Sequence, residues 1–257
     1  MSFLHELLVW LNDPANWRGP GGLVPRTVEH LVLSLGSLLV AAAVAVPAGA
    51  LLGRSRLRGT ALVNVANIGR AVPSFAVLVL GVIWLGLGST PTVITLVLLA
   101  LPPVFVLTFT AVRQVDPAIV DSARGMGMTE GRVLRKVQLP VARPLILDGL
   151  RLASAAVIAT ATMSALIGGG GLGRLIIDGF SVRDFREVVA GTLAVVLLVV
   201  ASEAVFSTLA RVAVSPGLRP GRRTGRRRRG GRPDAGEDAD GLPVPDAGVP
   251  GTGAAAR

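Results

Sequence analysis

A single lysine, Lys136, stands among the 257 residues, in the run VLRKVQLP (133–140). A phosphate-binding loop of the G-x-x-x-x-G-K-[ST] kind needs its lysine directly behind a glycine turn, so that the ammonium reaches the nucleotide phosphates. Lys136 has no such turn before it, so the chain is not its own ATPase of that type. Cysteine is absent, which excludes disulfides and thiolate metal sites. His5 and His30 are isolated in the sequence, and no metal site is expected. Ionisable residues are sparse in the apolar runs: Glu203, with Asp148, Arg151 and Arg70 at run edges. Ion-coupled carriers bury such acids near the bilayer midplane. Glu203 suits either that role or a polar contact within a helical bundle. No Ser/His/Asp or paired-carboxylate arrangement stands out, so an enzyme is not expected.

The other chemistry-bearing stretch is DSARGMGMTEGRVLRKVQLP (121–140), polar and Arg-rich in an otherwise oily chain. Just before it, Asp116 can cap a helix and Pro117 fits the first helical position, where its missing N–H costs nothing. That helix runs through PAIVDSARG, with Ala118, Ser122 and Ala123 as a face of small side chains. Asp121 and Arg124, three apart, can pair. Gly125 and Gly127 break the helix, Gly127 being best placed for a left-handed bend. Thr129 can cap a second short helix, EGRVLRKV, which Leu139-Pro140 is expected to stop, because the residue before proline is pushed extended. The expectation is two short helices hinged at a glycine. They are either a solvated loop or a surface that another protein reads.

The elements around this hairpin follow from composition. The chain is 51% hydrophobic with mean hydropathy +0.63. Five apolar runs of spanning length fall at about Val28–Gly53, Ile68–Gly88, Thr90–Val112, Leu145–Gly168 and Val188–Val212. At about 1.5 Å per residue, a run of roughly 20 crosses a hydrocarbon core about 30 Å thick. In lipid only helices and closed barrels satisfy the backbone, and these runs lack barrel alternation. The fold class expected is an all-α integral membrane protein. Arginines crowd Arg54–Gly59, residues 113–151 and the tail, while the opposite side has only Arg18, Arg26, Arg174, Arg183 and Arg186, interleaved with acids. The positive-inside rule places the N-terminus outside and the C-terminus in the cytoplasm.

Three regions result: an interfacial segment at 1–20, without a secretory-signal pattern; a membrane domain at 21–214 whose polar loop covers 113–144; and a disordered tail at 215–257, basic and then acidic. The tail's arginine run suits topology or lipid rather than nucleic acid. Pro47, Pro73 and Pro102-Pro103 disturb the runs, either as tolerated kinks or as hinges. The small residues of TATMS (160–164) permit close helix contact or line a path.

The hairpin resembles the cytoplasmic coupling loop of binding-protein-dependent ABC importer permeases, whose pattern is E-A-A-x3-G-x9-I-x-L-P. Here it stands as Asp121-Ser122-Ala123, Gly127, Val137, Leu139 and Pro140, every spacing kept, with Asp for Glu, Ser for Ala and Val for Ile. VDPAIVDSARGMGMT, IATATMSALIGGGGLGRLIIDGF and RAVPSFAVLVLG look like the osmoprotectant branch, over roughly residues 20–212. The resemblance implies the type I importer permease fold with about five transmembrane helices. It also implies docking of Ala118–Gly127 on a separate ATPase subunit, which would bind the ATP and Mg; this chain needs no cofactor of its own.

The same resemblance implies a second permease copy or homologue around a central path, and a separate extracytoplasmic binding protein near Gly168, Gly170, Gly171 and Gly173. Those glycines otherwise read as an ordinary turn. Pro73, Ser74, Thr160, Thr162 and Ser164 are the candidates for the path. The implied cargo is glycine betaine, choline or carnitine, with methionine or another amino acid as the alternative within the family. Alternatives of other classes are an ion-coupled carrier using Glu203 and a membrane scaffold. The implied location is the inner or plasma membrane.

Overall fold

The structure, a computed structural model, describes residues 3–54, 63–64 and 73–213. The tail expected at 215–257, together with Arg56, Arg58 and Arg70, lies outside the described residues. Within them every regular element is helical. In chain order these are α1 (Phe3–Asn12), α2 (Pro14–Arg18), α3 (Leu23–Gly53), α4 (Ser74–Leu85), α5 (Ser89–Arg113), α6 (Pro117–Gly125), α7 (Glu130–Val133), α8 (Leu139–Ala161), α9 (Gly173–Ser181) and α10 (Phe185–Ala213). A π turn, Leu134–Gln138, joins α7 to α8, and a 3-10 turn, Thr162–Ile167, extends α8.

Four helical segments among the described residues are long and apolar enough to cross a membrane: Pro14–Gly53, Ser89–Arg113, Glu130–Ile167 and Phe185–Val212. The run expected at Ile68–Gly88 is described only from Pro73. Its helix α4 has 12 residues, about 18 Å at 1.5 Å each, which is short of a span by itself.

The core is a contact of three helices. Leu38, Ala41 and Ala45 of α3 meet Leu96, Ala100, Val104 and Phe105 of α5 and Ala153, Val157 and Ala161 of α8. Lipid supplies no hydrophobic drive between spans, so the contact relies on close packing, which small residues permit. Gly49 and Gly53 make the tightest approach. A Cβ on Gly49 would stand 2.9 Å from the Phe105 carbonyl oxygen, and one on Gly53 2.8 Å from that of Phe109. The sequence signal, GALLG (49–53), is a small-x-x-x-small pattern that sequence reasoning passed over. By contrast α10 keeps Val196, Leu197, Val200 and Val205 exposed, as a helix facing lipid or another chain does.

The segment expected at 1–20 is the corner α1–α2. Asp13 accepts from the Ala15 N–H at 2.9 Å, and the Trp17 indole donates to the Leu11 carbonyl at 2.7 Å. Trp10 and Leu11 then pack against Leu23, Ile158, Leu172, Leu175 and Val195. Phe3, Leu4, Leu8 and Val9 stay exposed.

Candidate functional site

The polar hairpin is held by its own backbone chemistry. Asp116 precedes α6 and its carboxylate accepts from the Ala118 N–H at 2.8 Å, with Pro117 in the first turn. At the other end the Gly127 N–H reaches the Arg124 carbonyl (2.9 Å) and the Met128 N–H reaches that of Ala123 (3.2 Å). This pair of bonds is a Schellman cap, which requires a left-handed residue at Gly127; its φ is +79°. A Cβ there would meet nothing within 4 Å, so backbone conformation, not space, demands glycine.

Beneath α6 lies an apolar patch of Val115, Val120, Ala123 and Val133, flanked by Met128, Val137 and Val141. Ala123 is therefore part of the hairpin's own core and not of the open small-residue face expected for it. The i, i+3/i+4 geometry turns it inward with Val120, while Ala118, Ile119, Asp121, Ser122 and Met126 face out. The Ser122 hydroxyl donates to the Ala118 carbonyl at 2.7 Å. Arg124 bonds Asp121 at 3.0 Å and Glu130 at 2.8 Å. Glu130, then Asp121, raise its guanidinium pKa further above the ordinary value.

Two local expectations fail here. Thr129 sits at the start of α7 but its side chain makes no capping bond; only its carbonyl receives the Arg132 and Val133 N–H groups. Leu139-Pro140 does not stop the second helix. Proline has no N–H to return to the carbonyl four residues back, and the turn before it widens to π geometry, with the Leu139 N–H reaching the Leu134 carbonyl. The slipped register absorbs the proline, so α7 runs on into α8. Val137, Leu139 and Pro140 are half-buried along that passage. The seven motif residues thus fall on one continuous hairpin-to-α8 passage, with Asp121 and Ser122 on its surface.

At the opposite end of α8 the glycine loop is similarly tied. The buried Ser164 donates its hydroxyl to the Gly170 carbonyl at 2.9 Å, and the Gly169 N–H returns to the Ser164 carbonyl at 2.9 Å. Glu29 of α3 accepts from the Gly171 N–H at 2.9 Å. His30, fully buried, accepts at Nδ1 from the Leu172 N–H (3.3 Å), so Nε2 carries the proton and donates to the Ile158 carbonyl (3.0 Å). A Cβ on Gly170 would overlap the Glu29 carboxylate.

His30, read from sequence as an isolated residue, is thus a cross-tie of α3 to α8 and the loop. Its partners are backbone groups far along the chain, for which the sequence carries no signal. No cluster of metal-ligating side chains occurs among the described residues.

Thr162, Ser164 and the loop glycines therefore come together. Thr162 and Gly173 line a shallow cleft of about 130 Å³ with Met163, Leu166, Ile176 and Ile177. Thr160 is half-buried on α8. Pro73 and Ser74 stand apart from this cluster. They open α4, while its far end approaches the loop, where the Gly88 N–H bonds the Ile167 carbonyl at 3.2 Å. Glu203 is not a lone intramembrane acid: Arg151 of α8 donates to its carboxylate.

Residues 45–219 match the family model described as the binding-protein-dependent transport system inner membrane component. The chain belongs to this family. Among its curated relatives, the carnitine transport permease protein OpuCB of Listeria monocytogenes is 37% identical over 70% of this chain and 83% of its own length. The choline transport system permease protein OpuBB of Bacillus subtilis is 31% identical over 77% and 91%. The osmoprotectant import permease protein OsmY of Salmonella typhimurium is 36% identical over 66% and 72%.

Among solved structures, the inward-facing MetNI methionine ABC transporter superposes with a TM-score of 0.69 at 21% identity, covering 79% of this chain and 100% of that one. That likeness establishes the fold, a multi-pass importer permease. The family role is a transport subunit in the inner membrane that works with ATPase and substrate-binding partners.

Proposed function

We propose that this chain is the permease subunit of an ATP-driven importer for quaternary-ammonium osmolytes of the carnitine, choline and glycine betaine class. The names of the curated relatives support that cargo. The observation that carries the coupling role is the α6 hairpin: a capped helix seated on its own apolar patch, presenting Ala118, Ile119, Ser122 and Met126 outward. A separate ATPase subunit receives that face, binds ATP and Mg, and passes its closure through the π turn to α8. A separate binding protein delivers cargo near Gly168–Gly173 on the outer side, and a second permease copy or a homologue completes the path. The N-terminus lies outside and the C-terminus in the cytoplasm.

Vesicles containing the chain with its ATPase and binding protein are expected to accumulate radiolabelled carnitine or choline only when ATP is supplied inside the compartment where the ATPase sits. Accumulation of methionine instead would replace the cargo. Accumulation driven by an ion gradient without ATP, and lost in Glu203→Gln, would replace the mechanism. The pairing of Glu203 with Arg151 counts against that second outcome.

A further inference from the structure

Seating α6 on its patch fixes it to α7, the π turn and the start of α8, but not to α3. No α3 residue belongs to the apolar cluster under α6. The α3 helix ends at Gly53 with Arg54 as its C-cap, and from there Arg54 Nη2 donates to the Glu130 carboxylate. The same carboxylate receives Arg124 Nε at 2.8 Å, and Arg124 in turn donates to Asp121 at 3.0 Å. One acid at the head of α7 thereby joins the docking helix to the cytoplasmic end of the helix that forms half of the tightest core contact.

We propose that Glu130 is a positioning residue for coupling: it makes α3 move with the docking helix, in parallel with the covalent route through the π turn to α8. The proposal rests on the reading of α6 as the ATPase-docking element. The end of α3 already packs through Ala50 in one cluster with Leu134 of the π turn and Ala142 and Ile146 of α8, and the Glu130 bridge adds a polar tie to it from the docking helix itself. With Glu130 bridging Arg54 and Arg124, α3 and α8 receive the displacement together. The arginines cannot bridge directly, since two guanidinium groups repel, so the intervening carboxylate is the necessary member. Glu130 and Arg124 are exposed, at 53% and 49%, and Arg54 is half-buried at 25%. Exposed pairs confer little individually, and the effect expected is a change of coupling efficiency, not of folding.

The test is a double-mutant cycle of Arg54→Gln and Glu130→Gln in the complete importer reconstituted in vesicles, reading cargo molecules moved per ATP hydrolysed. Each single variant is expected to lower that ratio about two- to fivefold, the range exposed pairs confer, with ATPase binding unchanged. The double variant should be no worse than the poorer single one, because the two residues act through one contact. Raising salt from about 0.05 to 0.5 M should shrink the gap between wild type and variants.

A second measurement needs no ATPase. Amide hydrogen exchange of the chain alone in lipid nanodiscs should be faster over 117–127 in Glu130→Gln. Independent, additive losses across the cycle, or unchanged exchange over 117–127, would overturn the clamp. A wild-type importer that hydrolyses ATP without docking on α6 would instead overturn the reading of the hairpin, leaving the exchange result standing on its own.

Discussion

Two helices in this molecule end in the same backbone motif with different residues at its critical position. In α6 the left-handed position is Gly127, φ +79°. In α9 it is Arg183, φ +61°, with the Arg183 N–H on the Phe180 carbonyl (3.3 Å) and the Asp184 N–H on that of Gly179 (2.8 Å), the bond pair seen at Gly127. The bends differ in the residue after the left-handed one. Met128 tucks into the apolar patch under α6, whereas Asp184 starts α10, accepting from the Arg186 N–H at 3.1 Å and pairing with its guanidinium. The first bend is relaxed and sealed by apolar contact. The second holds a side chain where L-residues lose roughly 1–2 kcal/mol and is tied by charge. The same bond pair is thus closed without strain where glycine stands and with strain where arginine does.

The largest effect should come from removing that distinction. Gly127→Val places a β-branched residue at φ +79°, a genuine outlier conformation. The strain exceeds about 1–2 kcal/mol, and each 1.4 kcal/mol is about tenfold. ATP-dependent uptake should fall about tenfold or more while the amount of chain in the membrane holds. Near-normal uptake would show that the α6 bend can be reshaped freely. Next in size is Asp116→Ala, which removes the bond to the Ala118 N–H. An N-cap of this kind contributes about 1 kcal/mol, a large share for a nine-residue helix. Amide exchange at Ile119 and Val120 should quicken about fivefold, and no change would mean the apolar patch alone holds α6.

Much of this was legible in the sequence, for reasons that are local. The apolar runs, the Asp116-Pro117 start and the left-handed Gly127 each depend on residues within a few positions of one another. What was not legible depends on distance or register. Glu130 gains its importance from Arg54, and His30 from the carbonyl of Ile158 and the N–H of Leu172, which linear reading cannot bring together. Pro140 does not stop its helix because a terminator rule assumes α geometry, and one π turn removes the conflict. Ala123 packs inward and not on the expected open face, because a face of small residues looks alike in sequence whichever way it packs. The motif spacing therefore located the hairpin, while only the fold shows that Asp121 and Ser122 face out and Ala123 faces in.

A smaller effect is expected from converting the strained corner to the relaxed kind. Arg183→Gly removes about 1–2 kcal/mol of backbone strain and returns about 0.5–1 kcal/mol as entropy of the unfolded chain. The net gain is of order 0.5 kcal/mol, read as a higher thermal midpoint in detergent. A lower midpoint would mean that the Arg183 side chain makes its own contribution. A higher midpoint with weaker uptake would show that the strain at the α9–α10 corner serves transport.

The smallest effect concerns the charge that ties the α9–α10 corner. The Arg186 hydrogen bond holds the Asp184 carboxyl below its ordinary value of 3.8, against the opposing pull of burial. A carboxyl with a lowered folded pKa binds its proton more weakly folded than unfolded, so its contribution to stability is complete above the unfolded value. It is lost as pH falls through the folded one. Thermal midpoints between pH 6 and pH 3 should therefore drop slightly more steeply for wild type than for Asp184→Asn, whose amide can still accept from the Arg186 N–H but carries no charge. The α6 bend, closed by Met128 and not by an ion pair at that position, should show no counterpart to this difference in hydrogen exchange over 117–127 between wild type and Asp184→Asn. Equal slopes for the two proteins would mean that the Asp184–Arg186 pair is decorative and that the backbone bonds hold the α9–α10 corner without help from charge.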